Sequence, residues 1–303
     1  MTDAVVSQSK LYAGIEAGGT KFNCVVGTSP TNIIAQAKFP TTTPEETLSV
    51  TRDFFNEQIA AHGRIEALGI ASFGPVDLHK DSATYGYITA TPKKYWSNTD
   101  VVGFYQREFN VPVEFDTDVN GSALGEFLYG AAQGFSDFIY ITIGTGIGGG
   151  VFANGKPLNG MAHPEIGHMF IPRDMERDAE FEGFCPFHDN CLTDLACGPA
   201  IEARWKTSAV NLPEDHVAWD LQAHYLAIMC VNVVMAYSPK RIILGGGVMD
   251  QTHLFGKIHK NFVELMNGYM MPSIPVEDYI VPPALPGHSG EVGSIALAIQ
   301  AAS

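Results

Sequence analysis

Short apolar runs that break at glycine alternate along the chain with longer stretches in helical spacing. Residues 11–15 and 22–27 read as two strands joined by Glu16-Ala17-Gly18-Gly19-Thr20-Lys21, and residues 33–39 as a third strand. A helix start follows, with Thr43 at the cap, Pro44 at the first helical position and Glu46 at the third. Val50, Phe54, Phe55 and Ile59 give that helix its apolar side, and Gly63 ends it. Residues 67–72 are a strand that runs into Phe73-Gly74-Pro75-Val76-Asp77, and residues 85–96 are irregular and aromatic. The spacing predicts a helix over 101–109, a strand over 111–115, and a helix over 119–129 with Ala123, Leu124, Phe127 and Leu128 on one face. Strands are expected at 138–143 and 151–153, on either side of the glycine run 144–150. Helices are expected at 195–205, 219–237, 255–266 and 290–301, and strands at 279–281 and at 241–244, the latter ending in Gly245-Gly246-Gly247. Such alternation is the pattern of an α/β protein.

A chain of 303 residues has room for about two domains. The apolar content of 46% supports a substantial core, and charged residues at 17% are too few for a disordered chain. The net charge of −15 argues against nucleic acid or an anionic membrane as the main partner. Any anionic ligand must then be met by local donors, such as backbone N–H groups or a metal. Five cysteines, three of them clustered, do not make a disulfide framework and fit a reducing compartment. No window reaches the ~18 uninterrupted apolar residues of a membrane span, and residues 1–10 read as a polar leader rather than a signal peptide. The expectation is a cytoplasmic protein.

Candidate chemistry concentrates in residues 163–191. Glu165 and His168 are followed by Cys185, His188 and Cys191, with two residues between each and the next, so four nitrogen and sulfur donors are available for a closed tetrahedral Zn²⁺ site. A Cys185–Cys191 disulfide, or free thiols beside unrelated histidines, is the alternative. The glycine turns at 18–21 and 144–146 expose backbone N–H groups that can hold phosphate, and each is also an ordinary tight turn. Two such units about 130 residues apart suggest duplicated halves facing one nucleotide. Asp118 falls where a strand ends and a helix begins, a place where ligands collect in open α/β sheets and where a plain helix cap also sits.

In this order, Gly18-Gly19-Thr20, Thr117-Asp118-Val119-Asn120, Ile143-Gly144-Thr145-Gly146-Ile147-Gly148-Gly149-Gly150, Glu165-Ile166-Gly167-His168 and Cys185-x-x-His188-x-x-Cys191 resemble the ROK family of sugar kinases and sugar-responsive repressors. Ala90-Thr91-Pro92-Lys93, Asp116-Thr117-Asp118-Val119-Asn120 and Cys185-Pro186-x-His188 look most like its bacterial fructokinases. The resemblance implies a two-domain actin-like ATPase (ribonuclease H-like) fold with the active site in a cleft between the lobes. The lobes would be residues 1–117 and 118–289, with a C-terminal helix over 290–303 packing back on the first. It implies ATP- and Mg²⁺-dependent phosphorylation of a hexose, D-fructose at its 6-hydroxyl foremost, with glucose, mannose or an N-acylhexosamine as alternatives.

Asp118 matches the family's catalytic base. Asn120, Glu165, His168, Gly74 and Pro75 match residues at the sugar, and His168, Cys185, His188 and Cys191 match the zinc ligands. Gly18, Gly19, Thr20 and Lys21 match one phosphate loop, Gly144, Thr145 and Gly146 the other, and Gly245, Gly246 and Gly247 the adenosine-side turn. A homodimer is implied as well. Three positions depart from common family usage: Glu16 stands for aspartate, Thr117 for asparagine, and Thr193 for a glutamate that touches the sugar's anomeric end. A sugar-sensing repressor would need a helix-turn-helix ahead of the first strand, and neither residues 1–10 nor the charge of −15 suits one.

Overall fold

The computed structural model describes residues 10–303, so the leader expected over residues 1–10 lies, but for Lys10, outside the described residues. Two compact units are present: residues up to Gly125 with 288–303, and residues 126–287.

The first unit opens with strands β1 (Leu11–Ala17), β2 (Lys21–Ser29) and β3 (Asn32–Pro40), then helix α1 (Pro44–His62) and strand β4 (Ile65–Ser72). A small ribbon, β5 (Tyr87–Ile88) with β6 (Thr99–Asp100), precedes α2 (Val101–Phe109), β7 (Val113–Thr117) and α3 (Asp118–Tyr129). The Thr43 hydroxyl accepts the Glu46 N–H at 3.3 Å, and Gly63 ends α1 at φ +100°. The sheet runs β3-β2-β1-β4-β7, with β1–β3 antiparallel and β1, β4 and β7 parallel. Ile15, Phe22, Phe55, Leu68, Ile70, Trp96 and Tyr105 form a core beneath α1 and α2. The C-terminal helix, Ser289–Ala301, covers the other face, packing Ile295 and Ala298 against Tyr12, Val25 and Ala67. A Cβ at Gly69 would lie 2.0 Å from the Ser294 carbonyl, so the bare backbone there lets helix and sheet meet.

The second unit holds β8 (Phe138–Ile143), β9 (Ile147–Ala153) and β10 (Lys156–Pro157), then α4 (Leu192–Ala196), α5 (Gly198–Trp205) and α6 (Ala218–Tyr237). Strand β11 (Ile242–Gly245), helices α7 (Leu254–Met266) and α8 (Val276–Tyr279), and strand β12 (Ile280–Val281) complete it. The order β10-β9-β8-β11-β12 repeats the first sheet's plan: an antiparallel trio, then two parallel strands. The duplication suggested by the two glycine turns is thus present in the topology. Helix α6 is apolar nearly all round and is the centre of this core, with Trp219, Tyr225, Met229 and Val233 buried.

Four details differ from the sequence reading. The helix expected over 195–205 is two helices, because the chain is extended at Cys197 (ψ 165°) and restarts at Gly198-Pro199. Tyr279 belongs to the one-turn helix α8, its hydroxyl donating to the Pro239 carbonyl at 2.7 Å, and only 280–281 pair as a strand. Val50 and Leu128 face solvent. The units divide at Gly125 rather than at Thr117, because the first turns of α3 pack on the C-terminal helix: a Cβ at Gly125 would stand 2.3 Å from the Ser289 carbonyl. Among the described residues no helix is long and apolar enough to cross a membrane.

Candidate active site and metal centre

In the first sheet β1, β4 and β7 end in register, Ala17 beside Ser72 and Ser72 beside Thr117. Their following residues, Gly18–Lys21, Phe73–Pro75 and 118–120, therefore emerge at one edge. The hairpin turn is closed by Gly18 N–H donating to the Lys21 carbonyl at 2.9 Å and anchored by the Thr41 hydroxyl on the Gly18 carbonyl at 2.7 Å. Pro75 presents its carbonyl to the Thr89 N–H at 2.8 Å. Glu16, half-buried near the end of β1 just before this turn, accepts the Asn23 amide at 2.6 Å. Burial raises its pKa, Asn23 lowers it, and the nearby Glu291 raises it further.

At the β7–α3 junction the Thr117 hydroxyl accepts the Asn120 N–H at 3.1 Å. Thr117 thus caps α3, and the plain capping role considered for Asp118 is already filled. Asp118, half-buried at the first helical position, accepts the Val119 N–H at 2.9 Å. Asp116 accepts the Asn120 side chain at 2.7 Å and the Thr117 N–H at 2.8 Å. Burial pushes its carboxyl up to about 6 despite these bonds.

In the second sheet Gly245 pairs with Thr142, so the turns Gly144–Gly146 and Gly245–Gly247 leave the same edge. The Val248 N–H donates to the Ile143 carbonyl at 3.0 Å and the Gly198 N–H to the Gly144 carbonyl at 2.8 Å. Gly198, which starts α5 against the first turn, was not singled out from the sequence; the Gly-Pro pair was its only sign.

Residues 169–171 run antiparallel to 190–192, with the Leu192 N–H on the Met169 carbonyl at 2.9 Å and the Ile171 N–H on the Asn190 carbonyl at 3.0 Å. That pairing brings His168 beside Cys191. His168 Nδ1 lies 3.7 Å from Cys185 Sγ, 3.6 Å from Cys191 Sγ and 3.3 Å from His188 Nδ1. All four donor atoms fall within 4.8 Å of one another, and all five cysteines are free, which removes the disulfide alternative. With bonds of about 2.3 Å to sulfur and about 2.05 Å to nitrogen, a tetrahedral Zn²⁺ has N–S edges of roughly 3.6 Å and N–N edges of roughly 3.3 Å. The donor set and its spacing therefore fit that ion. Glu165, in the turn before His168, lies 3.4 Å from His163 Nδ1, and its partial burial raises its carboxyl pKa. Phe187 and Phe170 stand edge-on to His168 and His188. Arg173, whose guanidinium lies 3.5 Å from Asp194 Oδ2, was not read from the sequence as a site residue.

The ROK family pattern matches residues 12–301. The chain is 43% identical over 299 residues to a fructokinase of Streptococcus mutans, covering 97% of this chain and 99% of that protein. It is 42% identical over 298 residues to a fructokinase of Zymomonas mobilis, covering 97% and 98%. Among solved structures it resembles a ROK hexokinase from Thermus thermophilus, with TM-score 0.77, 24% identity, and coverage of 96% and 98%. It also resembles a ROK family glucokinase from Streptomyces griseus in complex with glucose and AMPPNP, with TM-score 0.74, 24% identity, and coverage of 96% and 99%. These likenesses span both sheets and every motif described above, and the chain belongs to the ROK family, with its actin-like ATPase fold.

Proposed function

We propose that the protein is a fructokinase that transfers the γ-phosphoryl group of ATP to the 6-hydroxyl of D-fructose. The observation that carries the reading is the β7–α3 junction. There Thr117 caps the helix, and Asp118 stands in the first helical turn, at a strand edge shared with Gly18–Lys21 and Gly74-Pro75. Full-length relatives named fructokinases support the choice of sugar.

A sugar hydroxyl is a weak nucleophile until its proton has a place to go, and the Asp118 carboxylate accepts that proton as the oxygen–phosphorus bond forms. Asn120, oriented by Asp116, and Glu165 and His168 hydrogen-bond the sugar hydroxyls and fix the reacting oxygen in line. Backbone N–H groups of the turns at 18–21 and 144–146 face the phosphates, and Gly245–Gly247 face the adenosine. Glu16, two residues before the first of these turns, would help hold Mg²⁺ with the nucleotide. When bound, Mg²⁺ neutralises charge developing on the phosphates. His168, Cys185, His188 and Cys191 hold Zn²⁺, which when bound clamps the loop carrying Glu165 and His168. A cytoplasmic homodimer completes the proposal, its stoichiometry open to sedimentation.

The test is an ADP-release assay with ATP and Mg²⁺ across fructose, mannose, glucose and N-acetylmannosamine, beside Asp118→Asn. Fructose should give the highest kcat/KM, with turnover lost in the variant by roughly 10²–10⁴-fold. A higher kcat/KM for another sugar overturns the fructose assignment, and full activity in the variant overturns the base.

A further inference from the structure

We infer that Asp194 is a positioning residue that assembles the four-ligand cage before any metal arrives. The inference rests on the metal reading of the proposed function. Asp194 lies in the first turn of α4 and is 1% exposed. Its Oδ1 accepts the N–H groups of Phe184 at 2.6 Å and Cys185 at 2.8 Å, at the start of the loop. Its Oδ2 accepts the N–H of Asn190 at 2.9 Å, at the loop's end. Its own N–H donates to Cys191 Sγ at 3.3 Å. One buried side chain therefore ties together both ends of the Cys185–Cys191 loop.

The loop backbone is shaped to this carboxylate. Gly183, at φ +101°, passes so close that a Cβ would sit 2.5 Å from Asp194 Oδ1, and Asn190 turns the chain back at φ +60°. Arg173 braces the far side, donating to the Asn190 side chain at 2.7 Å and to the Phe181 carbonyl, with its guanidinium 3.5 Å from Asp194 Oδ2. The pair offsets the charge that an unaccompanied buried carboxylate would place beside two thiolates.

The physical consequence follows from loop entropy. A cage of four donors drawn from one turn and one loop is costly to close if the metal alone must order it, because binding then carries the ordering free energy. Here backbone donors converge on a buried acceptor, so the loop is closed by protein–protein bonds and the donors already stand at ligand spacing. Groups that orient metal ligands in this way typically change metal affinity by 10–100-fold when removed.

Amide hydrogen exchange on metal-stripped wild-type protein, together with zinc affinity by competition with a chromogenic chelator, tests this. The amides of Phe184, Cys185 and Asn190 should stay protected without metal. Asp194→Asn, whose amide cannot accept on both sides, should lose that protection and bind zinc about 10–100-fold more weakly. A Co²⁺-loaded sample should keep its tetrahedral thiolate spectrum in wild type and a weakened one in the variant. Exchange of the three amides at unstructured rates in stripped wild type would overturn the proposal, as would unchanged zinc affinity in a folded variant. Should Asp194→Asn fail to fold, the wild-type exchange still decides. If wild type takes up neither Zn²⁺ nor Co²⁺, the metal reading fails, and the same exchange data decide whether Asp194 holds the loop.

Discussion

Asp116 and Asn120 are joined side chain to side chain across the β7–α3 junction, at 2.7 Å. Burial holds the Asp116 carboxyl at about 6, above its ordinary 3.8, so the folded state keeps a proton that the unfolded chain releases earlier. The stability this confers is full below pH 3.8 and is lost as pH rises through about 6. Asp116→Asn keeps an oxygen to accept from Asn120 without burying a charge. At pH 7.5 it should stabilise the protein by roughly 2 kcal/mol and flatten the pH dependence between the two pKa values. Urea unfolding at pH 4 and 7.5 measures this; equal stability of the two proteins at pH 7.5 would contradict it.

Gly246 holds the proposed adenosine-side turn at φ +88°, where a Cβ would lie 2.6 Å from both the nitrogen and the oxygen of Ile143. Those neighbours are backbone and cannot swing aside. Gly246→Ala should therefore lower stability by about 1–3 kcal/mol and displace the turn from β8. KM for ATP should rise more than KM for fructose, and an equal rise in both would count against a nucleotide role for the turn.

Glu126 is fully buried and accepts three backbone N–H groups, from Ala131 at 2.6 Å, Ala284 at 3.0 Å and Leu285 at 3.0 Å. It joins the end of α3 to the segment that follows β12. Glu126→Gln turns one acceptor into a donor facing a donor, at a cost on the order of 1–3 kcal/mol in thermal unfolding. A melting temperature within error of wild type would show that the segment relaxes around it.

The strand and glycine-turn units were readable because apolar runs ending in glycine leave a local record, as at residues 11–21 and 138–146. The tetrad His168, Cys185, His188 and Cys191 was readable because ligand type and spacing constrain each other. The hold of Asp194 on the loop was not, because its partners there are backbone N–H groups, which no residue type announces. The break at Cys197 was hidden because Leu195, Ala196, Ala200 and Ile201 keep helical spacing on both sides of it. Thr117 as the cap was missed for a related reason: it and Asp118 are both good capping residues, and only the Asn120 N–H direction separates them.

Removing the metal should act on the sugar side of the reaction. His168 belongs to the tetrad and Glu165 sits one turn earlier, while the glycine turns lie elsewhere in the chain. Dialysis against a zinc chelator should lower the melting temperature, restore it in proportion to added Zn²⁺, and raise KM for fructose with little change in KM for ATP. Unchanged melting after verified zinc loss would remove the clamp from the proposal.

Thr193 is 9% exposed, and its hydroxyl has no hydrogen-bond partner among the described residues. It stands beside the turn that carries Glu165 and His168: a Cβ at Gly167 would come within 2.7 Å of that hydroxyl. A buried hydroxyl without a partner is costly, so a ligand that supplies one gains from it. The family resemblance implies a carboxylate here that touches the anomeric end of the sugar, and a hydroxyl is shorter and uncharged. Thr193→Glu should restore that reach and shift relative kcat/KM from fructose towards glucose by about tenfold or more, the scale of one hydrogen bond to a charged group. Side-by-side kcat/KM values for the two sugars measure the shift, with Asp220→Asn, exposed on α6, as a neutral-site control. An unchanged ratio in a folded Thr193→Glu protein would separate the ketose preference from this position.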